Sequence, residues 1–187
     1  MIKRIFDFSL ALLLAMPTVL IILIFVVIVK LDSPGPVLFK HLRVGKFERP
    51  FQVWKIRTMH VDTVLRASHH TDAECITRSG KWLRRTKIDE LPQIWSVLVG
   101  NMSFVGPRPC LPTQSEVIEE RRRLGVYTLL PGITGPSQIL GVDMSQPRLL
   151  AETDALYLGG HCLQRDISLV IKTLFGGGRG DAVSRQN

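Results

Sequence analysis

Residues 8–29 read FSLALLLAMPTVLIILIFVVIV, a stretch of 22 residues without a charge. Whether that stretch crosses a membrane, turns back inside one, or is cleaved as a signal decides the architecture of everything that follows. A helix needs about 20 apolar residues to span a bilayer, so the length suffices for a crossing. It is too long for a signal peptide's apolar segment, and no small-x-small cleavage site follows. On hydropathy alone a single span fits. Two features count against it. Lys3 and Arg4 flank one end, while Lys30, Lys40, Arg43 and Lys46 follow the other, so a simple span must carry one basic flank outward against the positive-inside tendency. Pro17 sits inside the run, where it removes an i→i−4 hydrogen bond and can bend the helix. A bent, re-entrant helix that enters and leaves the same leaflet satisfies both observations.

The chain has 187 residues, enough for one domain with a real core. Its formal charge of +8 favours anionic partners: acidic lipid, nucleic acid or phosphorylated substrates. Three cysteines without a C-x-x-C pair read as reduced thiols facing the cytosol. The histidines, His69–His70 included, lack zinc-ligand spacing with those cysteines. The closing GGGRGDAVSRQN reads as a flexible tail.

Beyond the apolar run, LDSPGP (Leu31–Pro36) is a turn-rich exit. Two β-favouring stretches, Val37–Arg43 and Phe51–Arg57, flank a Gly-containing loop and predict a hairpin. Residues 61–74 are polar, read as loop or short helix. SGKWLRRT predicts a short basic helix, and a second helix follows from about Glu90 to Val99. GNMSFVGPRP and LLPGITGPSQILG, punctuated by Gly and Pro, read as loops. TQSEVIEERRRLG predicts a helix with a solvated Glu119–Arg123 pair. A last helix carries Leu163, Ile167, Val170, Ile171 and Leu174 as an apolar stripe, read as core rather than membrane surface.

The stretch TKIDELPQIW (residues 86–95) sets two carboxylates, Asp89 and Glu90, behind a cluster of cations. Thr86 and Asp89 fit a capping box, which by itself means only that a helix begins. Proline is harmless in a helix's first turn, however, so Pro92 moves the expected start to Asp89–Leu91. Both acids then sit at a helix N-terminus, where negative charge is favoured and phosphate can bind. Carboxylates with Arg84, Arg85, Lys87, Arg108, Lys55 and Arg57 nearby suit phosphoryl chemistry: an acid to attack or hold Mg²⁺, and cations to neutralise phosphate oxygens.

KRIFDF before the apolar run, LDSPGPVLFKHLRVGK, FQVWKIRTM, LRRTKIDELPQIWSVLVGNMSFVGPRP and LLPGITGPSQ occur in this order. Together, from Lys3 to Leu174, they resemble the bacterial sugar transferases known as monotopic phosphoglycosyl transferases. The resemblance implies transfer of a sugar 1-phosphate from a UDP-sugar to a polyprenyl phosphate, usually undecaprenyl phosphate, releasing UMP and starting surface-glycan synthesis. It also implies a phospho-sugar aspartyl intermediate on Asp89, with Glu90 helping to hold Mg²⁺ or handle the proton. Arg84, Arg108, Lys55, Arg57 and Gln138 are implied as substrate and phosphate contacts, and Pro17 as the membrane bend.

The implied fold class is α+β, mainly helical. A re-entrant membrane helix and exit turn (1–36) lead into a cytosolic catalytic domain (37–175) with a β-hairpin and amphipathic interfacial helices, then a flexible tail (176–187). The implied site is the cytoplasmic face of the bacterial inner membrane, with membrane lipids as partners, no nucleic acid, and a homodimer compatible with the pattern. Some positions depart from the family's pattern. Met16-Pro17 stands where Ser-Pro is common and about one turn early, Gly100-Asn101-Met102 replaces Gly-Asp-Met, Pro136 replaces an aromatic residue, and the following NGR is absent. With no large segment ahead of the run, the expectation is a core-only member. The rival from another class is a non-enzymatic, single-span anchor with a basic face for lipid or nucleic acid.

Overall fold

The apolar run forms the middle of α1 (Ile2–Asp32), a helix of 31 residues that is unbroken through Pro17. At about 1.5 Å per residue it is roughly 46 Å long, more than a hydrocarbon core of about 30 Å requires. The computed structural model describes residues 2–61, 63, 75–159 and 162–175. Most of the polar 61–74 stretch, His69–His70 and the 176–187 tail therefore lie outside the described residues.

α1 lays one stripe against the rest of the chain. Ala11, with Leu10 and Leu14 beside it, joins a core of Val53, Val97, Met102, Phe104 and Tyr157. Further along, Val29 joins Val37, Ile56 and Leu83, flanked by Ile22, Phe25 and Val26. Both ends are fastened. Arg4 donates to the carbonyls of Val97 (2.6 Å) and Leu98 (3.0 Å), and Lys3 pairs with Asp166 at 2.8 Å. At the far end Asp32 accepts from the Ser79 amide (2.8 Å) and hydroxyl (2.7 Å), and Phe25 stacks on Trp82 with centroids 5.4 Å apart. The opposite face of α1 is apolar and exposed, Leu13 by 72% and Met16 by 73%.

The expected hairpin is present. β1 (Leu38–Val44) pairs antiparallel with β2 (Pro50–Ile56), Leu38 opposite Ile56 and Val44 opposite Pro50. The basic segment forms α2 (Arg78–Thr86), capped by Thr77, whose hydroxyl accepts from the Gly80 amide at 3.0 Å. The next element differs from expectation. Residues Ile88–Gln93 form a 3-10 helix, and only Ile94–Leu98 is α-helical (α3). Thr86 is not a cap at all: it ends α2, with its hydroxyl donating to the Trp82 and Leu83 carbonyls.

The two Gly/Pro segments read as loops contain strands. β3 (Ser103–Val105) pairs in parallel with β4 (Gly132–Thr134). Their glycines are there for close approach: a Cβ on Gly132 would stand 2.1 Å from the Gly106 nitrogen, and one on Gly106 2.3 Å from the Leu130 carbonyl oxygen. Short helices surround this pair: α4 (Ser115–Arg123), α5 (Pro136–Ile139), α6 (Pro147–Ala155) and α7 (Leu163–Leu174). On the exposed side of α4 Arg123 pairs with Glu120, and Arg122 with Glu119 and Glu48, in place of the expected Glu119–Arg123 pair.

The stripe on α7 is also corrected. Val170 packs against the core as expected, but Leu163, Ile167, Ile171 and Leu174 face outward, Leu174 by 79%, and Asp166 and Leu169 are buried. Polar anchors choose the docked face: Asp166 accepts from Tyr157 and Lys3, and Thr173 shares a 2.6 Å hydrogen bond with Thr134. Hydrophobicity alone marks an apolar stripe and leaves open whether protein or lipid covers it.

Candidate active site

Lys87 sets the direction of the acidic pair. It ends α2 in the left-handed conformation (φ 58°, ψ 15°) and starts the 3-10 turn that carries Asp89 and Glu90. A non-glycine residue costs about 1–3 kcal/mol there and is kept where surrounding structure over-determines it, a pattern found at functional sites. The turn packs on β2, so the acids face the hairpin instead of capping a long helix. The macrodipole that a longer helix would offer is correspondingly small.

Asp89 is 6% exposed. Glu90 receives hydrogen bonds on one oxygen, Oε1, from Lys55 Nζ and Arg108 Nη2, each 2.7 Å. Lys55 arrives from β2, and Arg108 from the PRP segment that follows β3. Arg84 reaches from α2 and donates through Nε to Thr58 at 2.9 Å, leaving its buried Nη1 without a hydrogen-bond partner. Gln138 donates to the Ile133 carbonyl at 2.9 Å, and its buried Oε1 likewise lacks a partner. Arg57 is occupied with the backbone. Its guanidinium donates to the carbonyls of Ser33 (2.7 Å) and Pro34 and ties the exit of α1 to β2.

These residues meet in a cavity of about 760 Å³, whose walls include Lys55, Arg57, Arg84, Asp89, Glu90, Arg108 and Gln138. Sequence reasoning thus brought together side chains from α2, β2, the 3-10 turn and two loops. Lys87, expected among the nearby cations but not among the contacts implied by the resemblance, is a wall residue as well. Burial pulls the Lys87 ammonium below the ordinary lysine pKa, with Arg108 adding to the effect and Glu90 opposing it. His41 and Arg43 of β1 stand on the same wall, Arg43 donating to His41 Nε2 at 3.3 Å.

Part of the lining has different chemistry. Leu10 and Leu14 of α1, Phe104, Ile133, and Val170 and Leu174 of α7 supply it. One cavity therefore offers both cations, which suit phosphates, and apolar side chains, some of them from the long apolar helix, with the acidic pair among its lining.

A family model described as bacterial sugar transferase matches residues 1–178. Similar proteins include the UDP-glucose:undecaprenyl-phosphate glucose-1-phosphate transferase of Caulobacter vibrioides, 36% identical over 185 residues, a match covering 92% of this chain and 68% of that one. An Escherichia coli K12 protein of the same name is 37% identical over 191 residues, covering 95% and 40%. The UDP-N-acetylgalactosamine-undecaprenyl-phosphate N-acetylgalactosaminephosphotransferase of Aeromonas hydrophila is 36% identical over 155 residues, covering 79% and 37%. The chain thus spans about two thirds of the first relative and less than half of the other two.

Proposed function

The chain belongs to the bacterial sugar transferase family, and from that premise we propose that it transfers a sugar 1-phosphate from a UDP-sugar to undecaprenyl phosphate at the cytoplasmic face of the inner membrane. The observation that carries the reading is a cavity lined by Asp89 and Glu90 together with the cations Lys55, Arg84, Lys87 and Arg108 and with apolar side chains that we read as an arm for lipid. A water-soluble nucleotide sugar and a lipid phosphate need those two surroundings side by side.

In this mechanism the Asp89 carboxylate attacks the sugar-bearing phosphorus. The bond from that phosphorus to the UMP oxygen breaks, UMP leaves, and Asp89 carries the phospho-sugar. A phosphate oxygen of the lipid then attacks the same phosphorus and releases Asp89, giving the polyprenyl-diphospho-sugar that begins glycan assembly. Arg84, Lys87 and Arg108 neutralise the phosphate oxygens. Glu90 holds Lys55 and Arg108 in place until the donor's phosphates replace part of that charge. Asp89 and Glu90 also fit Mg²⁺, which takes one or two carboxylates and completes its shell with water and substrate phosphate. When bound, Mg²⁺ supplies further charge neutralisation at phosphorus. Purified protein, assayed with several UDP-sugars, undecaprenyl phosphate and Mg²⁺, should release UMP and yield a lipid-linked diphosphate. A folded protein that yields neither with any donor would favour the non-enzymatic anchor.

The apolar arm is read as the seat of the lipid's first isoprene units. Leu14→Trp and Val170→Trp should each slow transfer to undecaprenyl phosphate by roughly tenfold or more, equivalent to about 1.4 kcal/mol, while UMP release without acceptor stays near wild type. Equal slowing of both half-reactions would remove the lipid from that arm.

We read α1 as re-entrant because both ends bond to the same domain, Arg4 to α3 and Asp32 to α2. A straight crossing would pull one of these ends away. A cysteine placed at residue 2, with the native cysteines replaced, should resist a membrane-impermeant thiol reagent in intact cells and react after lysis. Labelling in intact cells would establish a crossing instead. Pro17→Leu, which restores the missing N–H, tests whether this proline is the bend: a shift to labelling at residue 2 would say that it is.

A further inference from the structure

The segment Pro107–Cys110 is held through its carbonyl groups. Pro107 and Pro109 have no N–H to give, so a strand pairing through donors is closed to half of its residues. Instead, four successive carbonyls each accept a hydrogen bond: Pro107 from the Gly132 amide (2.9 Å), Arg108 from Arg121 Nη1 (2.7 Å), Pro109 from Arg43 Nη1 (3.1 Å) and Cys110 from the Val44 amide (3.0 Å). The Arg108 side chain leaves this rail and reaches Glu90 at 2.7 Å.

Arg121 is the unusual member. Its side chain and that of Asp154 are each 1% exposed, and they pair at 2.6 Å through Nη2 and 3.0 Å through Nε. Ser137 donates to the second oxygen of Asp154. The pair thus links α4, α6 and α5 to the backbone of Arg108. Burial disfavours the Arg121 charge, and the Asp154 carboxylate, together with Cys110 and Tyr127, more than offsets that cost. Buried ion pairs are weak evidence for stability, because apolar residues of similar volume often serve equally well. Something besides stability therefore has to account for a guanidinium here, and its third hydrogen bond is the clue.

We propose that Arg121, oriented by Asp154, is a positioning residue for Arg108: it fixes the carbonyl from which that side chain swings, and so sets where the cation meets the donor's phosphate. The role of Arg108 at phosphate rests on the transferase reading above. A fork is required. Lysine at 121 could keep the charge pair with Asp154 but, as a point charge without a planar fork, could not also hold the carbonyl.

The test uses Arg121→Met/Asp154→Leu, which removes both charges together, and Arg121→Lys as a second variant should the first fail to fold. With unfolding midpoints close to wild type, kcat for UMP release should fall about 100-fold, the scale set by a roughly 1 Å misplacement, and KM for the UDP-sugar should change less than about threefold. Made in an Arg108→Gln background, the same substitutions should cost almost nothing further, since the loss runs through Arg108. Independent, multiplying losses would overturn the proposal, as would a folded double variant with wild-type kcat. Phenylglyoxal modification of Arg108, followed by mass spectrometry, needs no turnover. It should quicken by about tenfold in the double variant, and an unchanged rate would also overturn the proposal. If wild-type protein releases no UMP while Arg108 is unmasked as expected, the transferase reading fails and the positioning role stands.

Discussion

Asp89→Asn protein is expected to release no UMP from a UDP-sugar and to exchange no labelled UMP back into it. Wild-type protein should release about one equivalent without acceptor, because in the proposed route UMP departs before the lipid phosphate arrives. Removing the nucleophile of a covalent mechanism costs on the order of 10⁴–10⁶-fold in kcat, and an amide cannot substitute for the carboxylate. Shape is nearly kept, so folding is not the expected casualty. If Asp89 only opened a helix, its loss would cost about 0.5–2 kcal/mol and spare the chemistry. Folded Asp89→Asn protein that still transfers sugar phosphate would reduce the acidic pair to a structural feature. Glu90→Gln separates the two acids further. It leaves Lys55 and Arg108 without the carboxylate they share at 2.7 Å, so the rate or the Mg²⁺ requirement should change while exchange of UMP persists.

The second large effect is expected at Arg108. Arg108→Gln removes the cation that we propose meets phosphate in the cavity, and loss of one such preorganised donor typically costs about 10²–10³-fold in kcat. In the proposed two-step route both half-reactions pass through the same phosphorus, so UMP release and lipid transfer should fall together. That distinguishes Arg108 from the apolar arm, where only lipid transfer suffers. Arg108→Lys should recover part of the rate, by charge alone, and remain below wild type. A variant with full rate in both steps would place Arg108 outside the chemistry and leave its Glu90 contact as a structural ion pair.

Much of this architecture follows from local patterns. The uncharged run forms one long helix, the two β-favouring stretches form the hairpin with Gly45 in its loop, and the SGKWLRRT and SEVIEERRR segments form α2 and α4. Each of these depends on neighbours a few residues apart, which is the range over which helical periodicity, strand alternation and turn chemistry operate. The acidic pair and most of its cations were likewise readable, because their motif is long and continuous.

Packing settled the rest. Ser103 meets Gly132 across a parallel pair, and a three-residue strand has no signal of its own until its distant partner supplies hydrogen bonds. The 3-10 form of Ile88–Gln93 comes from a left-handed Lys87 and the contact with β2, neither of which is a propensity of the residues involved. On α7, Lys3 and Tyr157 claim Asp166 and turn the apolar stripe outward. Three successive arginines, 121 to 123, look alike as letters. Arg122 and Arg123 stay at the surface, while Arg121 is buried against Asp154 and bound to the Arg108 carbonyl. Burial and hydrogen-bond partners are properties of distant segments meeting, and a residue's own identity does not carry them.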